Sequence, residues 1–127
     1  MKLLLDTHTL YWWNSDPDQL SAAATNALQD AANEVWFSVV NIWEIAIKAQ
    51  LQKFKLNMPL TQIVQVQLNN NLQILNIELD HVLGLQQLPI HHRDPFDRLL
   101  IAQAIHHQAT LVTVDPLMKL YEIPTLW

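Results

Sequence analysis

Apolar runs with strand character alternate along this chain with helical segments, and this alternation restricts the fold more than any other feature. The strand-like runs lie at residues 2–5, 34–37, 72–77, 110–114 and 124–127. Helices are predicted between them, at about 9–13, 21–28, 38–51, 59–68, 79–88 and 94–107, with a short helix after residue 115. Strands that alternate with helices form parallel sheets with crossover connections. We therefore expect an α/β fold with a doubly wound parallel sheet, in one domain over residues 1–127.

Composition excludes several classes of site. Gly84 is the only glycine, so neither a P-loop nor a Gly-rich dinucleotide-binding loop can be built. The lack of cysteine excludes disulfides and thiolate zinc sites. No apolar run approaches the ~20 residues of a membrane span. The net charge of −5 argues against a broad basic surface that wraps duplex DNA, but not against a nuclease whose acids bind metal. These features favour a cytoplasmic protein.

Acidic residues stand where an open parallel sheet places its ligands. Asp6 and Asp115 close two of the strands, and Asp94-Pro95 begins a helix. Asp97, in the first turn of that helix, shares a face with Asp94. Taken alone, Asp94 and Asp97 are explained as a helix cap and a first-turn acid that the helix dipole favours. A parallel sheet would open both strand ends, and begin the helices, at one edge, so we expect the acids to converge there.

Glu44 is the acid that is hardest to explain structurally. It lies in the middle of a helix that is apolar almost all round and is therefore predicted to be buried. An i,i+4 ion pair with Lys48 is one explanation, but such a pair contributes only about 0.3–0.5 kcal/mol. Clustered carboxylates cannot all stay ionised unless they share a cation. Oxygen ligands without cysteine favour Mg²⁺ or Mn²⁺, ions that activate water for displacement at phosphorus.

Most of the six histidines have structural explanations. His91-His92 and His106-His107 are adjacent pairs, and adjacent side chains on a helix point in different directions. The second pair stands near a helix C-terminus, where positive charge is favourable. No His-Glu-x-x-His metal motif is present. His8 lies beside the acid that closes the first strand and is a candidate contact for substrate or water.

Four motifs, in order along essentially the whole chain, resemble the PIN domain, and most closely its subgroup of VapC-type toxin ribonucleases. They are Leu3-Leu4-Leu5-Asp6-Thr7, Ser38 with Trp43-Glu44-Ile45-Ala46-Ile47-Lys48, Asp94-Pro95-Phe96-Asp97-Arg98 and Val112-Thr113-Val114-Asp115. The resemblance implies a parallel five-stranded sheet flanked by helices. It also implies a Mg²⁺- or Mn²⁺-dependent endoribonuclease, the toxin of a type II toxin–antitoxin pair, that cleaves RNA phosphodiester bonds with metal-activated water. An antitoxin and a second copy of the chain in a homodimer are the implied protein partners.

The resemblance also implies roles for individual residues. The catalytic and metal-binding acids by position are Asp6, Glu44, Asp97 and Asp115, with Asp94 as the additional acid of the subgroup. The hydroxyl positions beside the acids match Thr7 and Ser38. His8, next to the first acid, and Lys48, four residues after Glu44, are further candidate contacts to substrate or to the metal ligands, from their own positions in the sequence. Many family members have Asn two residues after the first Asp, where this chain has His8, so the hydrogen bonding at that point differs.

Two alternatives remain open from the sequence. An acid-lined α/β sheet is also typical of metal-dependent phosphatases and phosphotransferases, although His8 stands where a haloacid-dehalogenase-type enzyme has its second Asp. The other alternative is a PIN-like RNA- or protein-binding module whose nuclease site is inactive. A ribonuclease assay with Mg²⁺ against EDTA distinguishes these functions. The sequence specifies neither the target RNA nor the number of metal ions.

Overall fold

The computed structural model describes residues 1–127, and its five strands form one fully parallel sheet in the order β3-β2-β1-β4-β5. The strands are β1 (Lys2–Leu5), β2 (Glu34–Ser38), β3 (Gln73–Leu75), β4 (Thr110–Val112) and β5 (Thr125–Leu126). The helices are α1 (Thr7–Ser15), α2 (Ala22–Gln29), α3 (Val39–Gln50), α4 (Leu60–Asn69), α5 (Leu79–Gly84) and α6 (Pro95–His107). Short 3₁₀ segments cover Pro17–Gln19, Leu85–Gln87 and Pro116–Tyr121. The predicted α/β fold with a five-stranded parallel sheet is confirmed.

The strand order places a change of direction at the centre of the sheet. The chain proceeds from β1 outward to β3 on one side, then returns to place β4 on the other side of β1. Asp6 follows β1 directly, and its backbone N–H donates to the Val112 carbonyl at the end of β4, at 3.1 Å. Ligands of open α/β sheets bind where the strand order reverses in this way. The fold therefore brings Asp6 and Asp115 to the same part of the sheet edge.

Two hydrophobic cores, one on each face of the sheet, hold the helices in place. Successive side chains of a strand point to opposite faces, so Leu3 and Leu5 contribute to one core and Leu4 to the other. All three leucines are fully buried. The Leu4 core also contains Leu99, Leu100, Ile101 and Ala104 of α6. Burial of these residues fixes α6, and with it the acidic first turn of the helix, against the sheet.

Some element boundaries differ from the predictions. The predicted strand 72–77 is reduced to β3 because it is an edge strand, paired with β2 alone. The predicted helix 79–88 divides into α5 and the 3₁₀ turn that follows it. The prediction that α3 is buried all round was wrong, because the helix buries one face and leaves Trp43 50% exposed. None of the helices has the length and apolarity that a membrane span requires.

Candidate metal centre

Five carboxylates line a single cavity of about 310 Å³ at the carboxyl edge of the sheet. Asp6 follows β1, Glu44 lies in the middle of α3, Asp94 and Asp97 lie at the start of α6, and Asp115 lies three residues after β4. The acids are Asp6, Glu44, Asp94, Asp97 and Asp115, and His8, Trp12, Lys48 and Val114 complete the lining. The structure thus brings together seven of the nine predicted site residues. Thr7 and Ser38 do not reach the cavity.

Asp6 is 5% exposed and is held at both carboxylate oxygens. One carboxylate oxygen accepts a hydrogen bond from the Thr7 backbone N–H at 2.6 Å, and the other accepts from the Thr113 hydroxyl at 2.6 Å. Burial raises the pKa of Asp6 above its ordinary value, although these two hydrogen bonds oppose the rise. The side chain is therefore fixed in orientation at the base of the cavity.

Glu44 is 2% exposed and only half satisfied. Its Oε2 accepts from the Lys48 ammonium at 2.7 Å, so the predicted i,i+4 pair exists. Its Oε1 is buried without any hydrogen-bond partner. Burial by itself would lower the pKa of Lys48, but the hydrogen bond and charge of Glu44, together with the nearby aspartates of α6, raise it above its ordinary value. The ion pair thus explains one oxygen of Glu44 and leaves the other available to a ligand.

Asp94 and Asp97, at the start of α6, have different roles. Asp94 is the helix cap, since its carboxylate accepts from the backbone N–H groups of Phe96 at 2.8 Å and Asp97 at 3.3 Å. Asp97 caps nothing, and like Asp6 it has a pKa above the ordinary value. Burial, followed by the charges of the other four acids, raises the pKa of Asp97 to about 8. Without a cation, the cluster therefore retains a proton near neutral pH.

Asp115 is held from two sides at the start of the Pro116–Tyr121 segment. Its Oδ1 accepts from the Leu117 backbone N–H at 2.9 Å, and its Oδ2 lies 3.2 Å from Nε2 of His92. The same His92 nitrogen is 3.9 Å from Oδ2 of Asp97. His92, Asp97 and Asp115 each offer an atom within 4.8 Å of the others, a spacing that is compatible with one shared ion.

Three residues near the acids were given no role in the sequence analysis. His92 was interpreted as one of a structural pair, but it is 7% exposed and contacts two of the acids. Thr113 joins Asp6 and Asp115, because its hydroxyl donates to Asp6 and accepts from the Asp115 backbone N–H at 3.1 Å. Asn41 is the third residue, and it links the start of α3 to the end of β1. In the sequence, only the position of Thr113 two residues before Asp115 could have indicated a contact with the acids.

Thr7 and Ser38 lie in a buried layer behind the acids. The Ser38 hydroxyl accepts from the Val40 backbone N–H at 3.0 Å and so caps α3. Asn41 accepts from the Ser38 backbone N–H at 2.7 Å and donates to the Thr7 hydroxyl and the Leu5 carbonyl, both at 3.1 Å. This network ties the start of α3 to the end of β1. It fixes the distance between the elements that carry Asp6 and Glu44.

The donor set fits a hard divalent cation. The cavity presents carboxylate oxygens from four separate elements, at least one of them a buried oxygen with no partner in the protein. Buried polar atoms without a partner are rare, because each costs about 1–3 kcal/mol. Carboxylate oxygens are the ligands that Mg²⁺ and Mn²⁺ prefer. A cation in the cavity would satisfy the Glu44 oxygen and offset the repulsion that raises the pKa of Asp97.

A second cluster of titratable side chains lies at the far end of α6. The backbone N–H of Glu78 donates to Nδ1 of His81 at 2.9 Å, and Nε2 of His81 lies 2.9 Å from Nε2 of His107. Since Nδ1 of His81 accepts a hydrogen bond, its Nε2 carries the proton and donates to His107. His81 is fully buried and has no lone pair left for a metal. His106 completes the cluster at the surface. Gln103 Nε2 lies 3.4 Å from Nδ1 of His81, and Gln103 Oε1 is buried without a partner.

Comparison with known proteins identifies relatives that span almost the whole chain. Residues 3–123 match the family model of the PIN domain. The chain is 33% identical to Ribonuclease VapC22 of Mycobacterium tuberculosis (strain ATCC 25618 / H37Rv) over 129 residues, 98% of each protein. It resembles a chain of the crystal structure of VapBC2 from Rickettsia felis bound to a promoter DNA fragment, with a TM-score of 0.75 and 19% identity over 98% and 97% of the two chains. It also resembles a chain of VapBC-1 from nontypeable Haemophilus influenzae, with a TM-score of 0.63 and 17% identity over 98% of this chain and 96% of that one.

Proposed function

This chain belongs to the PIN domain family, and on that premise we propose that it is a divalent-metal-dependent endoribonuclease and the toxin of a toxin–antitoxin pair. The observation that carries the proposal is the cavity lined by five acids, one of which, Glu44, has a buried oxygen without a partner. The relative at 33% identity is named a ribonuclease, and the alignment covers 98% of both chains, which supports the same activity here.

We assign the cation, Mg²⁺ or Mn²⁺, to the carboxylates of Asp6, Glu44, Asp97 and Asp115, with Asp94 as a further acid at the rim. When bound, such a cation supplies positive charge that lowers the pKa of a water and stabilises negative charge on a phosphate. Without that charge, five acids in one cavity would repel a phosphodiester. The acids therefore make the approach of RNA conditional on the cation.

The other lining residues orient the acids and the substrate. Lys48 holds one oxygen of Glu44, so that the free oxygen is directed in a single orientation. Asp97, whose pKa is raised to about 8, holds a proton near neutral pH before the cation binds. His8 is exposed at the rim of the cavity and is assigned to substrate or water. Thr7 and Ser38 support the acids from behind.

The proposed protein partners are an antitoxin and a second copy of the chain. The R. felis and H. influenzae neighbours come from structures described as VapBC, and the first is bound to promoter DNA. Co-expression with the product of a short neighbouring reading frame, followed by co-purification, tests this part of the proposal.

The nuclease proposal is tested by an RNA cleavage assay in Mg²⁺ or Mn²⁺ and in EDTA, with the chemistry of the product ends determined. We expect cleavage only with the cation, and products with 5′-phosphate and 3′-hydroxyl ends, because water rather than the ribose 2′-hydroxyl is the nucleophile. Asp97→Asn is the matched variant, since it removes one charge and keeps the shape. Undiminished cleavage in EDTA with 2′,3′-cyclic phosphate ends would contradict the proposal.

A further inference from the structure

The contacts of His92 go beyond what the acid cluster itself requires. The residue precedes α6 in the segment that follows Pro89, and its side chain enters the protein between that segment and the Pro116–Tyr121 segment. His92 is 7% exposed and stacks on the ring of Tyr121, which is 5% exposed, at a centroid distance of 5.4 Å and an angle of 15°. Both rings are thus held by packing as well as by hydrogen bonds.

The hydrogen bonds of Tyr121 determine which nitrogen of His92 carries a proton. The Tyr121 hydroxyl oxygen accepts from the backbone N–H groups of His91 at 3.2 Å and His92 at 2.7 Å. With its lone pairs used, the hydroxyl donates its own hydrogen, and Nδ1 of His92 is 3.2 Å away. Nδ1 therefore accepts, and the proton of His92 is on Nε2.

The protonated Nε2 of His92 points at the acids. It lies 3.2 Å from Oδ2 of Asp115 and 3.9 Å from Oδ2 of Asp97. The opposite oxygen of Asp115 accepts from the Leu117 backbone N–H at 2.9 Å. Asp115 is consequently gripped at both oxygens, and a nitrogen that carries hydrogen and donates to a carboxylate is not a metal ligand.

We propose that His92 is a positioning residue, whose Nε2–H, aimed by Tyr121, holds Asp115 in the orientation from which its carboxylate binds a divalent cation. The inference rests on the proposed metal-dependent function. Groups that hold metal ligands in place commonly change metal affinity about 10–100-fold when they are removed. Tyr121 contributes to the same positioning, because its hydroxyl accepts hydrogen bonds from the segment before α6 and so joins that segment to the one that begins at Asp115.

The chain offers a matched set of variants for the test. His92→Phe keeps a flat ring to stack on Tyr121 but has no donor, whereas His92→Gln places an amide donor at a similar reach. His91→Phe is the control, because His91 is the same residue type next in sequence, is exposed, and packs edge-on against Tyr121 without contacting an acid. Tyr121→Phe removes the hydroxyl that orients His92 and that also accepts from the His91 and His92 backbone N–H groups. It replaces His92→Phe if that variant does not fold.

Affinity for Mn²⁺ is measured by calorimetry on each folded variant. We expect His92→Phe to bind Mn²⁺ about 10–100-fold more weakly than the parent. We expect His92→Gln and His91→Phe to stay within about threefold of the parent, and Tyr121→Phe to fall between the two groups. If His92→Phe binds Mn²⁺ as tightly as the parent, or if His92→Gln is as weak as His92→Phe, the positioning role is wrong.

Nitrogen NMR of the histidine rings tests the inference independently of affinity. We expect the Nε2–H form of His92 both in EDTA and in saturating Mg²⁺. Loss of that proton on addition of Mg²⁺ would make His92 a direct ligand, and an Nδ1–H form in EDTA would remove the donor to Asp115; either result overturns the inference. A parent protein that binds neither cation would instead refute the proposed metal dependence, and the positioning role with it, whatever the tautomer.

Discussion

The two ends of α6 carry two clusters of titratable side chains that the protein treats in opposite ways. At the N-terminus, Asp97 joins four other acids, and the pKa of Asp97 is raised to about 8 by burial and by those charges. At the C-terminus, His107 meets the buried His81. Burial and the neighbouring histidines lower the pKa of both rings below the ordinary value. Each end disfavours its charged form for the same two reasons, burial and neighbouring charges of like sign.

The difference lies in whether the polar atoms find partners within the protein. The histidine cluster is a closed relay from the Glu78 backbone N–H through His81 to His107, and no cation is needed to complete it. The acid cluster leaves Glu44 Oε1 buried and unpaired and leaves Asp97 protonated near neutrality. Glu44 Oε1 is the one unpaired buried atom that belongs to a titratable group, since the others are on Trp36, Gln67 and Gln103. An unpaired carboxylate oxygen in a cavity lined by acids favours a cation site. We therefore assign structure to one end of α6 and metal chemistry to the other.

The largest expected contrast between the two ends is in catalysis. Asp97→Asn should reduce Mn²⁺-dependent RNA cleavage on the order of 100-fold or more, since even the groups that support metal ligands are worth about 10–100-fold. His107→Asn, at the other end of the same helix, should leave the rate within about twofold of the parent. Initial cleavage rates on one RNA substrate measure both variants. Equal losses at the two ends would remove the functional distinction between them.

The next contrast is in stability, where the substitution with the larger expected effect is at the histidine end of α6. His81→Leu leaves two part-buried groups, the Glu78 backbone N–H and the His107 ring, without their partner, which should cost about 0.5–1.5 kcal/mol of unfolding free energy for each hydrogen bond lost. His106→Leu is the control, because His106 is exposed and its loss should cost less than about 0.5 kcal/mol. Urea unfolding in EDTA gives both values. A His81 variant as stable as the control would show that the relay contributes nothing to stability.

The pH dependence of stability should have opposite signs at the two ends. Between pH ~4 and ~8 the native state holds a proton on Asp97 that the unfolded chain releases, so this group makes unfolding free energy fall as pH rises. His81 and His107 have the opposite effect: below about pH 6.5 the unfolded chain binds protons that the native pair does not, so unfolding free energy falls as pH falls. In EDTA, the melting temperature of the parent should decrease from pH 6.5 to 8.5, and that of Asp97→Asn should decrease much less. Parallel curves for the two proteins would contradict this assignment.

How far the sequence predicted this arrangement depends on the range of the interactions involved. The Asp94-Pro95 helix start and the position of Glu44 in an apolar helix were readable because caps and helix faces are local properties. The contact between Thr113 and Asp6 joins residues 107 positions apart, and that between His92 and Asp115 joins residues 23 apart. Such contacts depend on how strand ends and loops meet in three dimensions, which no local pattern encodes.

The error on α3 has a similar origin. Its apolar composition predicted a helix buried all round, but only one face packs against the fold, with Val40, Glu44 and Ile45 buried and Trp43 half exposed. Composition records how apolar a helix is, and the number of neighbours that cover it is decided by the topology. The same limit applied to His92, whose residue type and spacing gave no indication that Tyr121 would direct it toward the acids.

The smallest expected effect is also the most direct test that the acidic end of α6 is a metal centre. Thermal melts compare the parent, Asp97→Asn and His107→Asn in EDTA and in Mn²⁺ at about tenfold excess over Kd, where binding to the native state adds about 1.4 kcal/mol. For a domain of this size, the parent and His107→Asn should rise by roughly 3–6 °C. Asp97→Asn should melt in EDTA at or above the parent temperature and respond much less to Mn²⁺. An equal Mn²⁺-induced shift in the parent and in Asp97→Asn would contradict the account.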